Sequence, residues 1–542
     1  MTPGAPPPGR RHLLFALSAI TVLALLLRIP ATAEPLGIDQ GFWASAAHQM
    51  SHGQLLYRDV WDHKPPGSFL MYLAAFSLFG WTTASVAWFD ILAATAATLL
   101  LFTIARRMGG ALTGAAAAAV YATMTMPSWL HGHGGFLERS VAETYIVVLV
   151  SIAAWSAIRL RERPSVGFAV LMGLSGGAAV VFKPNAGIYL PALALWLMVY
   201  ADRPLRQTFG SLMLAAAASF VPALATLGWL WSIGVMPDAS VALVDFNRAY
   251  VSQGFTASGY ALAFSKAVFY RMKTEPLWTA GALGALVVAW QVVRFRKLEA
   301  LPGLAVAWGA GAAIAIVANG AWLFNSYFIQ AQPALAIMAA WLLTARPKRD
   351  IGHRVAMVLL IVAAAVMLPR RNYVGRIYQY ASADLQQLLG RGDRTSYLER
   401  FGGYANNRGY SARANDELTG YLRQRTAPGD RLYFFGINCS AIYFATDRLM
   451  ANRFLRVNVF VPSTFPHPGF SLADVVAELE AKRPAYLVFE ELHSLSAMGV
   501  AVDRLQEDVD VIRLLQAYAL DTRIEDFSVY RLVDRAELSR GH

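Results

Sequence analysis

LLFALSAITVLALLLRIPATAEPLGIDQGFWASAAHQM, residues 13–50, places an apolar run directly before a helix-like segment that carries Asp39. A bilayer-spanning helix needs roughly 20 mostly apolar residues, and residues 13–30 meet that length. The same pattern recurs near 83–105, 110–127, 140–158, 166–183, 187–200, 208–235, 277–293, 302–319, 327–345 and 352–368. Only the Lys183-Pro184-Asn185 corner divides the fifth run from the sixth. Composition agrees: the 542 residues are 56% hydrophobic and 15% charged, against about 25% charged in an average soluble domain. The expectation is a polytopic α-helical membrane protein with about eleven transmembrane helices.

Basic residues set the expected orientation. With the N-terminus cytoplasmic, the inner loops hold clusters: Arg10/Arg11, Arg106/Arg107, Arg159/Arg161/Arg163, Arg203/Arg206, Arg294/Arg296/Lys297 and Arg346/Lys348/Arg349/Arg354. The outer segments hold scattered cations mixed with acids and aromatics. The net charge of +12 follows from this asymmetry and argues for no nucleic-acid partner. Cys439 is the single cysteine, so no internal disulfide forms. The first helix lacks an A-x-A-like cleavage site and reads as a retained anchor.

The chain divides by hydropathy. Residues 1–368 read as the membrane bundle, 369–412 as a charged, Gly- and Tyr-rich connector, and 413–534 as an exterior α/β domain. In that domain ANDELTGYLRQRT and LADVVAELEAK read as helices, and RLYFFGI, PAYLVFEEL and FSVYRLV as strands. The first exterior segment, 31–82, is unusually long. Residues 39–52 suit an amphipathic surface helix, with Phe42, Ala46 and Met50 on one side and His48 and His52 away from it. Residues 67–80 are too short for an independent span and fit a re-entrant or interfacial segment. The 236–275 stretch reads as another outer loop.

Within the first exterior segment a lone carboxylate, Asp39, is followed by a cation, Lys64, and a chain-reversing Pro65-Pro66. That order at the outer mouth of a bundle suits a site that handles a lipid phosphate.

These motifs together resemble the GT-C superfamily of membrane glycosyltransferases, nearest to the glycosyltransferase family 39 group of protein mannosyltransferase-like and aminoarabinose-transferase-like proteins. The resemblance rests on Asp39 after the first helix, Tyr57-Arg58-Asp59, His63-Lys64-Pro65-Pro66-Gly67, Glu143 at the head of the fourth span, and the Asn325 to Pro333 run. The exterior α/β tail with its PGDRLYFFG turn is a common appendage. Many relatives carry Asp-Glu at the first acidic motif, whereas here Gln40 follows Asp39, leaving one carboxylate. The resemblance implies a polyprenyl-phosphate-linked sugar donor and transfer with inversion at an exterior site. The acceptor would be a glycan, glycolipid or protein hydroxyl, with membrane lipids around it. The Ala-, Gly- and Arg-rich composition fits a GC-rich bacterial genome, and the resemblance to bacterial family members implies a bacterial inner membrane.

On that reading Asp39 is the general base that takes the proton of the acceptor hydroxyl; its alternative is a helix cap. Lys64, with Arg139 and Arg58, holds the donor phosphate; the alternative for Lys64 is a side chain snorkelling to the headgroups. Glu143 stands four residues from Arg139, on one helix face, and is expected to orient the sugar or Lys64. Lys183, Tyr57, Tyr327 and Gln330 are supporting candidates. Tyr57, Trp61 and Tyr327 would stack on a sugar or the prenyl chain. His63, His131 and His133 could hold a divalent metal, yet hydrogen bonding to sugar or plain exposure explains them as well. No P-loop motif occurs. A lipid or polysaccharide transporter and a polysaccharide ligase are the rival functions. Transporters place charges at mid-membrane and show internal repeats, and neither is evident here.

Overall fold

The computed structural model describes residues 10–126, 139–252, 257–319, 323–345, 350–403, 408–462, 465–491, 494–495 and 500–533. Contacts divide the chain into two compact units that cut across its linear order. One comprises residues 1–33, 84–228 and 254–388; the other comprises 34–83, 229–253 and 389–542.

The first unit is helical. Every apolar run of the sequence becomes a helix, but among the described residues only eight are long and apolar enough to cross a membrane. Three of the expected eleven are shorter: Ala111–Met124, Val166–Phe182 and the Pro184–Tyr200 run. The corner between the last two is an extended Lys183 (φ −152°, ψ 130°) followed by a 3-10 turn over Pro184–Ile188. Small residues let these helices approach closely. Any Cβ on Gly173 or Gly177, one turn apart, would collide with the backbone carbonyls of Ala215 and Ser219, the small-xxx-small contact of membrane helices. The 369–412 connector is largely helical: Ile351–Arg371 ends at a left-handed Asn372 and Tyr373–Leu388 continues from it.

The second unit holds the α/β fold. Strands β1 (Arg431–Phe435), β2 (Leu449–Met450), β3 (Tyr486–Glu490), β4 (Tyr518–Ile524) and β5 (Phe527–Leu532) form one sheet in the order β2-β1-β3-β5-β4. The β1–β2 and β1–β3 pairs are parallel, and β3–β5 and β4–β5 antiparallel. The helices expected from sequence are Ala412–Arg425 and Leu472–Lys482. β4 was not expected, because its interior residues face solvent and its sequence carries no apolar alternation. The 236–275 stretch is helical rather than looped, with Met236–Ser240 and Asn247–Ser252 in this unit and Ala257–Thr274 in the other.

The outer helix Ile38–Ser51 departs most from expectation. It does not lie on a surface; every residue from Gln40 to Gln49 is buried. Residues 440–450 cover the face that sequence periodicity left to water. Gly41 packs on Ala441. Ser45 Oγ donates to the Ser440 carbonyl and accepts from the Phe444 N–H at 3.0 Å. Gln49 Nε2 donates to the Arg448 carbonyl and its Oε1 accepts from the Met450 N–H, both at 3.1 Å. Polar side chains can be buried here because their hydrogen bonds are met by protein.

Candidate active site

Asp39 occupies the first turn of the outer helix, with Gly37 at the N-cap position; the capping alternative for Asp39 therefore falls. Gln40 takes the neighbouring role, its Oε1 accepting from the Gly37 N–H at 2.6 Å. Gln40 is thus a buried amide bonded to the N-cap residue, and this motif offers one acid, Asp39.

The partner of Asp39 is a residue that sequence reading missed. Arg456 donates from Nη1 to Asp39 Oδ1 at 2.9 Å and from Nη2 to the Ile38 carbonyl at 2.8 Å. Its guanidinium lies 4.5 Å from the Phe42 ring centroid, and its buried Nε has no hydrogen-bond partner. No motif marks ANRFLRVNV, so only the fold reveals it. The Asp39 side chain remains 48% exposed, which leaves it reachable.

Lys64 joins the same unit from the Pro-Pro turn. Its Nζ lies 3.3 Å from Asp62 Oδ2 and 5.5 Å from the Phe42 centroid, so Phe42 carries a cation on each of two approaches. Tyr57, in a left-handed conformation (φ 72°), donates its hydroxyl to the Lys64 carbonyl at 3.0 Å and fixes the loop. Tyr57 and Trp61 are both buried; they brace the loop and are not exposed for stacking on sugar. Arg58 is exposed and paired with its neighbour Asp59 at 3.3 Å, so it does not join Lys64. His63 sits between Phe246 and Tyr250, with ring centroids at 5.3 and 5.0 Å, and its Nδ1 is 3.1 Å from Asp62. Asn247 Nδ2 donates to the His63 carbonyl at 2.7 Å.

Electrostatics follow from this quartet. Burial pushes the Asp39 carboxyl up, but Arg456 and Lys64 more than offset it and hold it below the usual carboxylate range. Burial also opposes ionisation of Asp62, and Lys64 and His63 overcome it, so Asp62 is strongly favoured as the anion. Burial drives the His63 imidazole down despite Asp62, keeping it neutral near pH 7. Two carboxylates and two cations are balanced before any ligand arrives.

The remaining candidates lie in the first unit. Lys183 Nζ pairs with Glu143, and its ammonium stands 3.8 Å from the Tyr327 ring centroid. Tyr189 donates to Gln330 Oε1 at 3.2 Å, and Gln330 Nε2 reaches the Tyr327 carbonyl at 3.4 Å. Glu143, Lys183, Tyr327 and Gln330 therefore form one cluster around the 3-10 run Asn325–Ala331. The same run meets a pair that sequence reading did not single out: Arg271 donates to Glu275 at 2.5 Å and to Asn325 Oδ1 at 2.6 Å. Arg139 is buried and donates to the Ala31 carbonyl at 2.5 Å. His131 and His133 lie outside the described residues.

The Glu143 side chain is 2% exposed. Lys183→Met would strand its charge and is expected to cost about 3–5 kcal/mol, seen as a lower unfolding temperature in detergent. Adding Glu143→Gln should restore most of the loss; no restoration would mean that packing, not charge, was removed.

The fold is a GT-C fold, as the sequence resemblance implied. ArnT from Cupriavidus metallidurans in the apo state is similar at 17% identity, with 97% of this chain and 99% of that chain covered and a TM-score of 0.59. The same enzyme bound to undecaprenyl phosphate is similar at 17% identity, over 97% and 99% of the two chains, with a TM-score of 0.60. Residues 63–229 match the family described as dolichyl-phosphate-mannose-protein mannosyltransferase. No curated protein matches the chain.

Proposed function

We propose that this protein is an inverting glycosyltransferase that moves a sugar from a polyprenyl-phosphate donor to an acceptor hydroxyl on the non-cytoplasmic face. The observation that carries the reading is a reachable carboxylate, Asp39, held beside Lys64 and Arg456. The likeness to an ArnT structure bound to undecaprenyl phosphate supports a lipid-phosphate ligand, and the basic inner loops support the outward orientation.

In the proposed step the acceptor oxygen attacks the anomeric carbon while Asp39 takes the hydroxyl proton. The bond from that carbon to the phosphate oxygen breaks, and polyprenyl phosphate leaves with the electron pair. Lys64 and Arg456 exchange their carboxylate partners for the phosphate and stabilise the charge that develops on it. Asp62 stays ionised and keeps Lys64 in place between turnovers.

The test is sugar transfer by the purified, detergent-solubilised protein offered a panel of polyprenyl-phosphate sugars and hydroxyl acceptors. Transfer from one donor, with free polyprenyl phosphate as co-product, is expected. Tight lipid binding with no turnover of any donor would favour a lipid carrier instead.

A further inference from the structure

His48 and His52 stand one turn apart at the C-terminal end of the outer helix, and Asp447 faces them from the turn that follows Ala441–Thr446. One ligating atom from each lies within 4.8 Å of the other two. His48 Nε2 is 2.7 Å from Asp447 Oδ1, and the two imidazole rings are 4.5 Å apart. The His48 side chain is 5% exposed and that of Asp447 65%. One donor is therefore anchored in protein while another is free to adjust against water.

We propose that His48, His52 and Asp447 bind a zinc ion, with water completing the coordination. Two imidazoles and one carboxylate are a donor set that Zn²⁺ takes, leaving a fourth position for solvent. Paired histidines four residues apart on one helix face are the spacing by which a helix offers two imidazoles to zinc. Calcium and magnesium prefer all-oxygen sites. His52 Nδ1 lies 2.9 Å from the His48 carbonyl, so that nitrogen carries the proton and Nε2 is left bare. A backbone carbonyl on the remote nitrogen is the contact that fixes the tautomer of a metal-bound histidine.

The geometry needs little adjustment. Tetrahedral zinc with bonds of about 2.0–2.2 Å sets its donors about 3.3–3.6 Å apart. Asp447 must retreat slightly from His48, and its exposure permits that. Zinc takes the Nε2 lone pair of neutral His48, and the single ring proton that Nε2 held toward Asp447 passes through solvent to Nδ1, giving up only the 3.4 Å contact with Gln49 Nε2. Trp81 stands edge-on to His48 at 6.1 Å and stacks on Phe76, an apolar wall behind the ligands. The ion clamps one end of the outer helix to the segment whose far end, Arg456, grips Asp39.

The experiment uses full-length protein without a polyhistidine tag, stripped with a chelator and titrated with zinc chloride. One zinc per chain and a higher unfolding temperature are expected. His52→Ala and Asp447→Asn alter exposed side chains and spare the core. Each should weaken zinc binding at least tenfold and remove the thermal shift. No zinc uptake by the parent protein overturns the proposal. So does unchanged uptake by both variants, which would place the ion elsewhere. A lower unfolding temperature of Asp447→Asn that zinc does not influence in either protein would reduce the trio to a hydrogen-bonded latch.

Discussion

Asp39→Asn is expected to lower sugar transfer by about a hundred- to ten-thousandfold, the range spanned by general-base catalysis, while polyprenyl phosphate still binds. The amide oxygen can still accept the 2.9 Å hydrogen bond from Arg456, so the outer helix keeps its seat. The lost charge lies in the first turn of a helix, where an acid contributes only about 0.3–1 kcal/mol, so the unfolding temperature should move little. Transfer rates beside lipid binding separate the outcomes. Undiminished transfer by the variant would remove Asp39 as the base.

Arg456→Gln is expected to cost about a hundred- to a thousandfold in transfer, the scale for losing one donor to developing charge, and to change the pH profile. Arg456 is among the groups that hold the Asp39 carboxyl below its usual range, so its removal lets that carboxyl rise. The base then becomes protonated at a higher pH, and the acid limb of kcat/KM, which reports the free enzyme, moves upward. Arg456→Lys should not restore the parent profile. A lysine offers no planar fork to span Asp39 Oδ1 and the Ile38 carbonyl at once. An acid limb that stays in place would detach Arg456 from the base and leave it a packing role against Phe42.

What the sequence disclosed follows the reach of each physical signal. Hydropathy is local, so the apolar helices could be read, although among the described residues eight of them, not eleven, reach span length. Two helices and three strands of the α/β fold were legible for the same reason; the two-residue strand Leu449–Met450, the short helices Ala441–Thr446 and Val509–Leu515, and the solvent-facing strand Tyr518–Ile524 were not. Asp39 and Lys64 could be proposed from their order in one short segment. Arg456 could not, since it stands 417 residues from its partner and no motif surrounds it. The amphipathic reading of residues 39–52 failed because the cover for its polar face comes from residues 440–450. Arg58, a candidate from the Tyr57-Arg58-Asp59 motif, pairs locally with Asp59.

The seating of the outer helix by so distant a segment has a consequence for synthesis. The eight span-length helices among the described residues are all complete by Arg371, so threading them into the bilayer needs nothing beyond that point. Arg456 is made later, and at about 5–20 residues per second a ribosome needs about 20–80 s to travel from Asp39 to it. Through that interval the outer helix lacks its cover, with Ser45, His48 and Gln49 still without the partners they later bury against. A nascent chain halted before Arg456 would thus sit fully threaded in the bilayer with its acid unseated. Insertion and the acquisition of a working site are separate events, joined only when the last third of the polypeptide has been made.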